Sequence, residues 1–251
     1  MPYARLDDGQ LYYEEHGRGE PLVLVHGFSG AGQAWSGLLP SFADRHRVIV
    51  PDLRGHGRST GAPETIRHDR FAADLAALLD HLELDRANWV GHSSGGMCLL
   101  FLATRQPARV RTLTLVGATY TWDAHARSHM RQVADGWEID SGWIDRLRQL
   151  HGATHGQEYW RVLRDRFRHW AADQGELPFQ PADLAAITCP ALVLHGDRDP
   201  FFPVYIATTM YQAMPNAELA ILPAVGHGPP QERPDLFVRL LTDFLARHAD
   251  S

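Results

Sequence analysis

The 251-residue chain is 44% hydrophobic and 22% charged, with a formal net charge of −6. That balance excludes a disordered, collagen-like or coiled-coil chain, and it offers no basic stripe for nucleic acid. All 24 positive side chains are arginine, which excludes a lysine Schiff base, a catalytic lysine and the lysine of a phosphate-binding P-loop.

Tyr3–Leu6 and Gln10–Glu15, joined across Asp7-Asp8-Gly9, read as an antiparallel hairpin on a sheet edge. Pro21–His26 is a continuous apolar run ended by Gly27. Such a run suits a strand buried on both faces, as in a parallel sheet. Similar runs recur at Arg47–Pro51, Ala87–Val90, Val110–Val116 and Ala191–Leu194, with Leu219–Leu222 as a weaker one. Phe71, Leu75, Leu78, Leu79 and Leu82 share one helical face, as do Leu236, Leu240, Leu241 and Phe244. Strands alternating with helices argue for βαβ units.

The alternation fails over residues 121–187, which are helical in pattern and hold five of the seven tryptophans. Two regions follow: a core of residues 1–120 and 188–251, and a helical cap of residues 121–187. Trp160, Leu163, Phe167 and Trp170 form one stripe, with Arg161, Arg164 and Arg168 opposite. Trp122, Trp137, Trp143 and Trp160 are candidates for a substrate pocket, together with Phe28. Cys98, inside an apolar run, and Cys189, before Pro190, read as structural thiols. His151 and His155 are each followed by glycine and read as a loop or frayed helix end, not a metal site. The N-terminal residues show no charged-then-apolar targeting pattern, and no apolar run approaches the roughly 20 residues that span a bilayer. A cytoplasmic location without a membrane partner is expected.

Gly91-His92-Ser93-Ser94-Gly95-Gly96 follows an apolar strand and precedes a helical run, Met97 to Gln106, that stops at Pro107. A serine on a sharp strand-to-helix turn needs small neighbours, because the backbone is strained and packs closely. The turn lifts the hydroxyl clear of the sheet and sets it at the positive end of a helix. His227, between Gly226 and Gly228, and the loop His195-Gly196-Asp197-Arg198-Asp199 both lie just past strand ends, where open parallel sheets build their sites. Serine, acid and histidine appear in that order.

Here the chain resembles the α/β-hydrolase fold superfamily, in particular serine esterases and lactonases with a helical cap. His26-Gly27-Phe28 resembles its oxyanion loop and Asp52–Ser59 the loop after its next strand. Gly91–Gly96 resembles its nucleophile elbow, Gly196–Asp199 its acid loop and Gly226-His227 its histidine loop. The resemblance implies a mostly parallel eight-stranded sheet with helices on both faces and a small cap. It implies that Ser93 is the nucleophile, His227 the base and Asp199 the orienting acid, with Asp197 as a second candidate acid. It implies that the backbone N–H groups of Phe28 and Ser94 hold the oxyanion. His26, His56 and Asp52 are expected to tie down loops, and His92 to be a buried neighbour of the elbow.

The implied reaction is hydrolysis of a small carboxylic ester or lactone through an acyl-enzyme, with no metal and no cofactor, by a monomer or homodimer. The same residues serve hydrolases of C–C bonds, amides and enol-lactones, in which Arg161, Arg164, Arg166 or Arg168 could bind a carboxylate. A slow-turnover ligand-binding receptor of this fold is the alternative of a different class.

Overall fold

The computed structural model describes residues 2–137, 139–173 and 175–249. Eight strands form one sheet: β1 (Tyr3–Arg5), β2 (Gln10–His16), β3 (Glu20–Val25), β4 (His46–Pro51), β5 (Ala87–His92), β6 (Val110–Val116), β7 (Ala191–Gly196) and β8 (Ala217–Leu222). Their spatial order is β1-β2-β4-β3-β5-β6-β7-β8. The hairpin pairs antiparallel with itself and with β4, and the other pairings are parallel. β8 gave a weak sequence signal because it is an edge strand. Most of its residues are half-buried and so carry less apolar character than a central strand.

The nine α-helices of the described residues are α1 (Pro40–Ala43), α2 (His68–His81), α3 (Ser94–Arg105), α4 (Ala124–Gly136), α5 (Ser141–His155), α6 (Trp160–Ala172), α7 (Val204–Ala213), α8 (Pro229–Glu232) and α9 (Pro234–Arg247). Alternate strand residues face opposite layers. Leu22, Leu24, Val48 and Val50 pack with Phe42 of α1 and with Phe237, Leu241 and Phe244 of α9. Val23, Val25 and Ile49 pack instead with Phe71 and Leu75 of α2, Leu99 of α3 and Met210 of α7. Helices α4 to α6 fall between β6 and β7 with no strand among the described residues there. Cys98 is buried and donates to Gly95 O at 3.0 Å; burial raises its thiol pKa. None of the described helices is long and apolar enough to cross a membrane.

Two polar anchors hold the parts together. Arg54 is fully buried and binds Asp74 of α2 through Nε and Nη2, each at 2.7 Å. It also reaches Asp7 and Asp8 in the hairpin turn, so one guanidinium joins the hairpin, the loop after β4 and α2. The second anchor is His151 of α5. Gly57 N–H donates to its Nδ1 at 2.8 Å, so the ring proton sits on Nε2 and is donated to Ser29 O at 3.1 Å. This histidine, expected only to mark a loop or frayed helix end, pins the helical segment to two loops of the sheet.

Arg54→Ala strands the Asp74 carboxylate in the interior. Urea denaturation is expected to show a loss of about 3–5 kcal/mol. For His151, burial, with repulsion from His26 and His155, pushes the pKa from 6.5 down to about 4. The unfolded chain binds this proton more tightly, so stability falls as pH drops from about 6.5 to about 4 and levels off below that. Melting curves at about pH 7 and about pH 5 are expected to differ more for the wild type than for His151→Gln.

Candidate active site

Ser93 lies between β5 and α3 at φ 52° and ψ −119°, a conformation that side-chain-bearing residues rarely adopt. Its backbone N–H donates to Val116 O at 2.8 Å. The flanking glycines are required by space. A Cβ on Gly91 would lie 2.4 Å from the Gly95 carbonyl carbon, and one on Gly95 would lie 2.5 Å from Val25 O. The turn therefore closes on itself and against the end of β3.

His227 Nε2 lies 3.0 Å from Ser93 Oγ, and its Nδ1 lies 2.8 Å from Asp199 Oδ2. A proton on Nδ1 is donated to the carboxylate, which leaves Nε2 to accept from the Ser93 hydroxyl. Asp199 Oδ1 accepts the N–H groups of Phe201 and Phe202 at 2.8 and 3.1 Å. Burial alone would raise Asp199. The hydrogen bond from His227, the charge of His227 and the field of His195 outweigh it and hold the carboxyl below its usual range. Asp197, the alternative acid, meets Val225 N–H at 3.4 Å and Arg198 Nε at 3.7 Å, so Asp199 is the carboxylate in contact with the histidine.

The histidine loop is clamped from two sides. The Glu232 carboxylate accepts Gly226 N–H at 2.7 Å and Gly228 N–H at 3.0 Å. His92 donates Nε2–H to His227 O at 2.8 Å. Burial, then repulsion from His227, pushes His92 down to about 4, so it acts as a neutral donor near neutral pH. His26 Nε2 accepts Leu53 N–H at 2.9 Å, and Asp52 accepts the N–H groups of Gly32 and Arg58 at 2.6 and 2.8 Å. His56 Nδ1 meets Arg54 O at 2.9 Å. These three residues organise loops, as expected.

A cavity of about 1340 Å³ lies between these loops and the helical segment. Ser93, Ser94, His227 and Phe28 line its sheet side. The Ser94 N–H, in the first turn of α3, has no partner within the helix. Trp122, Trp137 and Trp143 line the opposite wall, as expected from their position in the helical segment. Trp160 does not. It sits at the start of α6, buried, with Arg161 and Arg164 over its ring. Two helical turns separate it from Phe167, about 10 Å along the axis, so the cavity ends before reaching it. Phe167 and Trp170, further along the same stripe, take the wall position, with Phe167 stacked on Phe28 at 5.4 Å.

Arg161, Arg164, Arg166 and Arg168 are absent from the cavity wall. They pair with Glu158, Asp165, the Pro63 carbonyl and Asp135 instead. Arg146 is the only arginine that lines the cavity among the described residues. Sequence reasoning also missed Glu232, five residues beyond His227, which no motif announces.

The family description "alpha/beta hydrolase fold" matches residues 20–168. The chain belongs to the alpha/beta hydrolase fold family. This member is 32% identical over 257 residues to the 2-hydroxy-6-oxo-2,4-heptadienoate hydrolase of Pseudomonas putida, covering 92% of this chain and 90% of that one. It is 31% identical over 261 residues to the pimeloyl-[acyl-carrier protein] methyl ester esterase of Chromobacterium violaceum, covering 95% and 99%. A solved N-acyl homoserine lactone degrading enzyme superposes with a TM-score of 0.76 at 29% identity, covering 97% and 100% of the two chains. The protein is an α/β-hydrolase enzyme.

Proposed function

We propose that this enzyme is a serine hydrolase that cleaves small carboxylic esters or lactones through an acyl-enzyme. The observation that carries the reading is the unbroken row Ser93–His227–Asp199, with contacts of 3.0 and 2.8 Å, ending inside an apolar cavity. In this reading Ser93 Oγ attacks the carbonyl carbon while His227 Nε2 takes its proton. His227 then returns the proton to the leaving oxygen, and a water repeats the sequence to release the acid. Asp199 holds the imidazole in the tautomer that accepts at Nε2 and stabilises its charged form.

The N–H groups of Phe28 and Ser94 hold the developing oxyanion. Each such donor contributes about 3–4 kcal/mol to the lowered barrier. The helical segment, residues 121–187, serves as a cap over a core of residues 1–120 and 188–251. Its aromatic wall favours an apolar acyl or aryl group, and the esterase and lactone-degrading relatives support that substrate class. Small molecules, not nucleic acid or membranes, are the partners, and the cytoplasm is the setting.

With p-nitrophenyl butyrate as substrate, Ser93→Ala is expected to lose about 10⁴-fold or more in kcat. Asp199→Asn is expected to lose about 10⁴-fold with little change in KM. Equal rates in wild type and Ser93→Ala would overturn the reading.

A further inference from the structure

A second row of carboxylate, histidine and serine ends at the cavity wall, where Ser94 lines it. His68, the first residue of α2, is fully buried. Its Nδ1 lies 2.7 Å from Glu176 Oε1, and its backbone N–H donates to the same oxygen at 2.8 Å. Its Nε2 lies 3.1 Å from Ser94 Oγ. Ser94 lines the cavity beside Ser93. Glu176 is also buried, and 108 residues of chain separate it from His68.

His26, His56, His92 and His195 instead meet backbone groups through their rings. His227 and His68 are the two among the described residues whose rings bridge a serine hydroxyl and a carboxylate. The rings of Trp170 and Trp122, with centroids at 4.4 and 5.6 Å, pack around the His68 imidazole and limit water's access to its hydrogen bonds.

The donors and acceptors then assign the Ser94 proton. Arg67 Nη1 lies 3.4 Å from Glu176 Oε2 and gives the buried carboxylate a counter-charge. His68 keeps its proton on Nδ1, facing Glu176. Its Nε2 accepts the Ser94 O–H, and the Ser94 oxygen is left as an acceptor on the cavity wall.

We propose that Ser94 is a specificity-determining residue whose hydroxyl oxygen, oriented by His68 and Glu176, accepts a hydrogen bond from a hydroxyl or amide N–H on the substrate's acyl group. Ser94 adjoins the nucleophile, so the donor belongs close to the reacting carbonyl, and the preferred substrates are hydroxyacyl or amidoacyl esters and lactones. His68 and Glu176 are positioning residues that act through Ser94. The proposal rests on the serine-hydrolase reading of Ser93.

The test compares phenyl butyrate with phenyl 3-hydroxybutyrate through the ratio of their kcat/KM values, in wild type, Ser94→Ala, Glu176→Gln and the double variant. Wild type is expected to favour the hydroxyacyl ester about tenfold, and Ser94→Ala to bring the ratio near one. Glu176→Gln is expected to lower the ratio, and to lower it no further when Ser94 is already alanine. Where Glu176→Gln does not fold, the Ser94→Ala ratio decides alone, because serine to alanine is a small change at a helix start. Turnover of both esters with an unchanged ratio in Ser94→Ala overturns the proposal and leaves the hydrolase reading standing. An additional drop from Glu176→Gln in the alanine background overturns the positioning role. No turnover of either ester by wild type overturns the hydrolase reading, and this proposal with it.

Discussion

The constraint on which the site depends is the closeness of the Gly91–Gly95 turn to the end of β3. The Val25 and His26 carbonyl oxygens sit 2.5 and 2.7 Å from where a Cβ on Gly95 would be. Because nothing larger than hydrogen fits there, the chain can reverse sharply and still start α3 at once. The reversal forces Ser93 to a positive φ, and that places its hydroxyl above the strand ends. A looser turn would relieve the strain but drop the hydroxyl back among the neighbouring loops. Strain of about 1–3 kcal/mol at such a residue persists only where the surroundings over-determine it. The hydrogen bond from Ser93 N–H to Val116 O and the packing of both glycines do so here.

The rest of the site is built by short hydrogen bonds between the loop backbone and the side chains of histidines and carboxylates. His26, His56, His92 and Asp52 fix loops, and Glu232 brackets His227. Burial lowers the pKa of each of these three histidines, which suits residues used as neutral donors and acceptors. The loop of His227 is held through backbone atoms, while its ring nitrogens are left for Ser93 and Asp199.

What the sequence made legible follows from locality. Central strands such as β7 read directly, because burial on both faces leaves an unbroken apolar run, Ala191–Leu194. Ser93, Asp199 and His227 read through short motifs, since each needs its glycines and its strand end nearby. The wall of the cavity did not read as well. Trp160 and Phe167 lie on one helical stripe, and periodicity says which side of a helix they share but not how far along the axis a cavity extends. His68 and Glu176 were invisible for a different reason. They meet across 108 residues of chain, and neither sits in a pattern that requires the other. Arg54 stood in a recognised loop, yet its fully buried contact with Asp74 depends on how α2 settles on the sheet.

The mooring of α5 bears on how the enclosed space communicates with the outside. His151 grips the Ser29 carbonyl, and Ser29 is the next residue after Phe28. Any swing of the helices about that end would drag the peptide beside Phe28 along with it. A gate there would open at the expense of the very geometry it guards. At the other end of the helical layer, Trp137 stacks on Phe167 at 5.8 Å, and Phe167 stacks on Phe28 at 5.4 Å. One histidine thus couples the position of α5 to the peptide that follows Phe28.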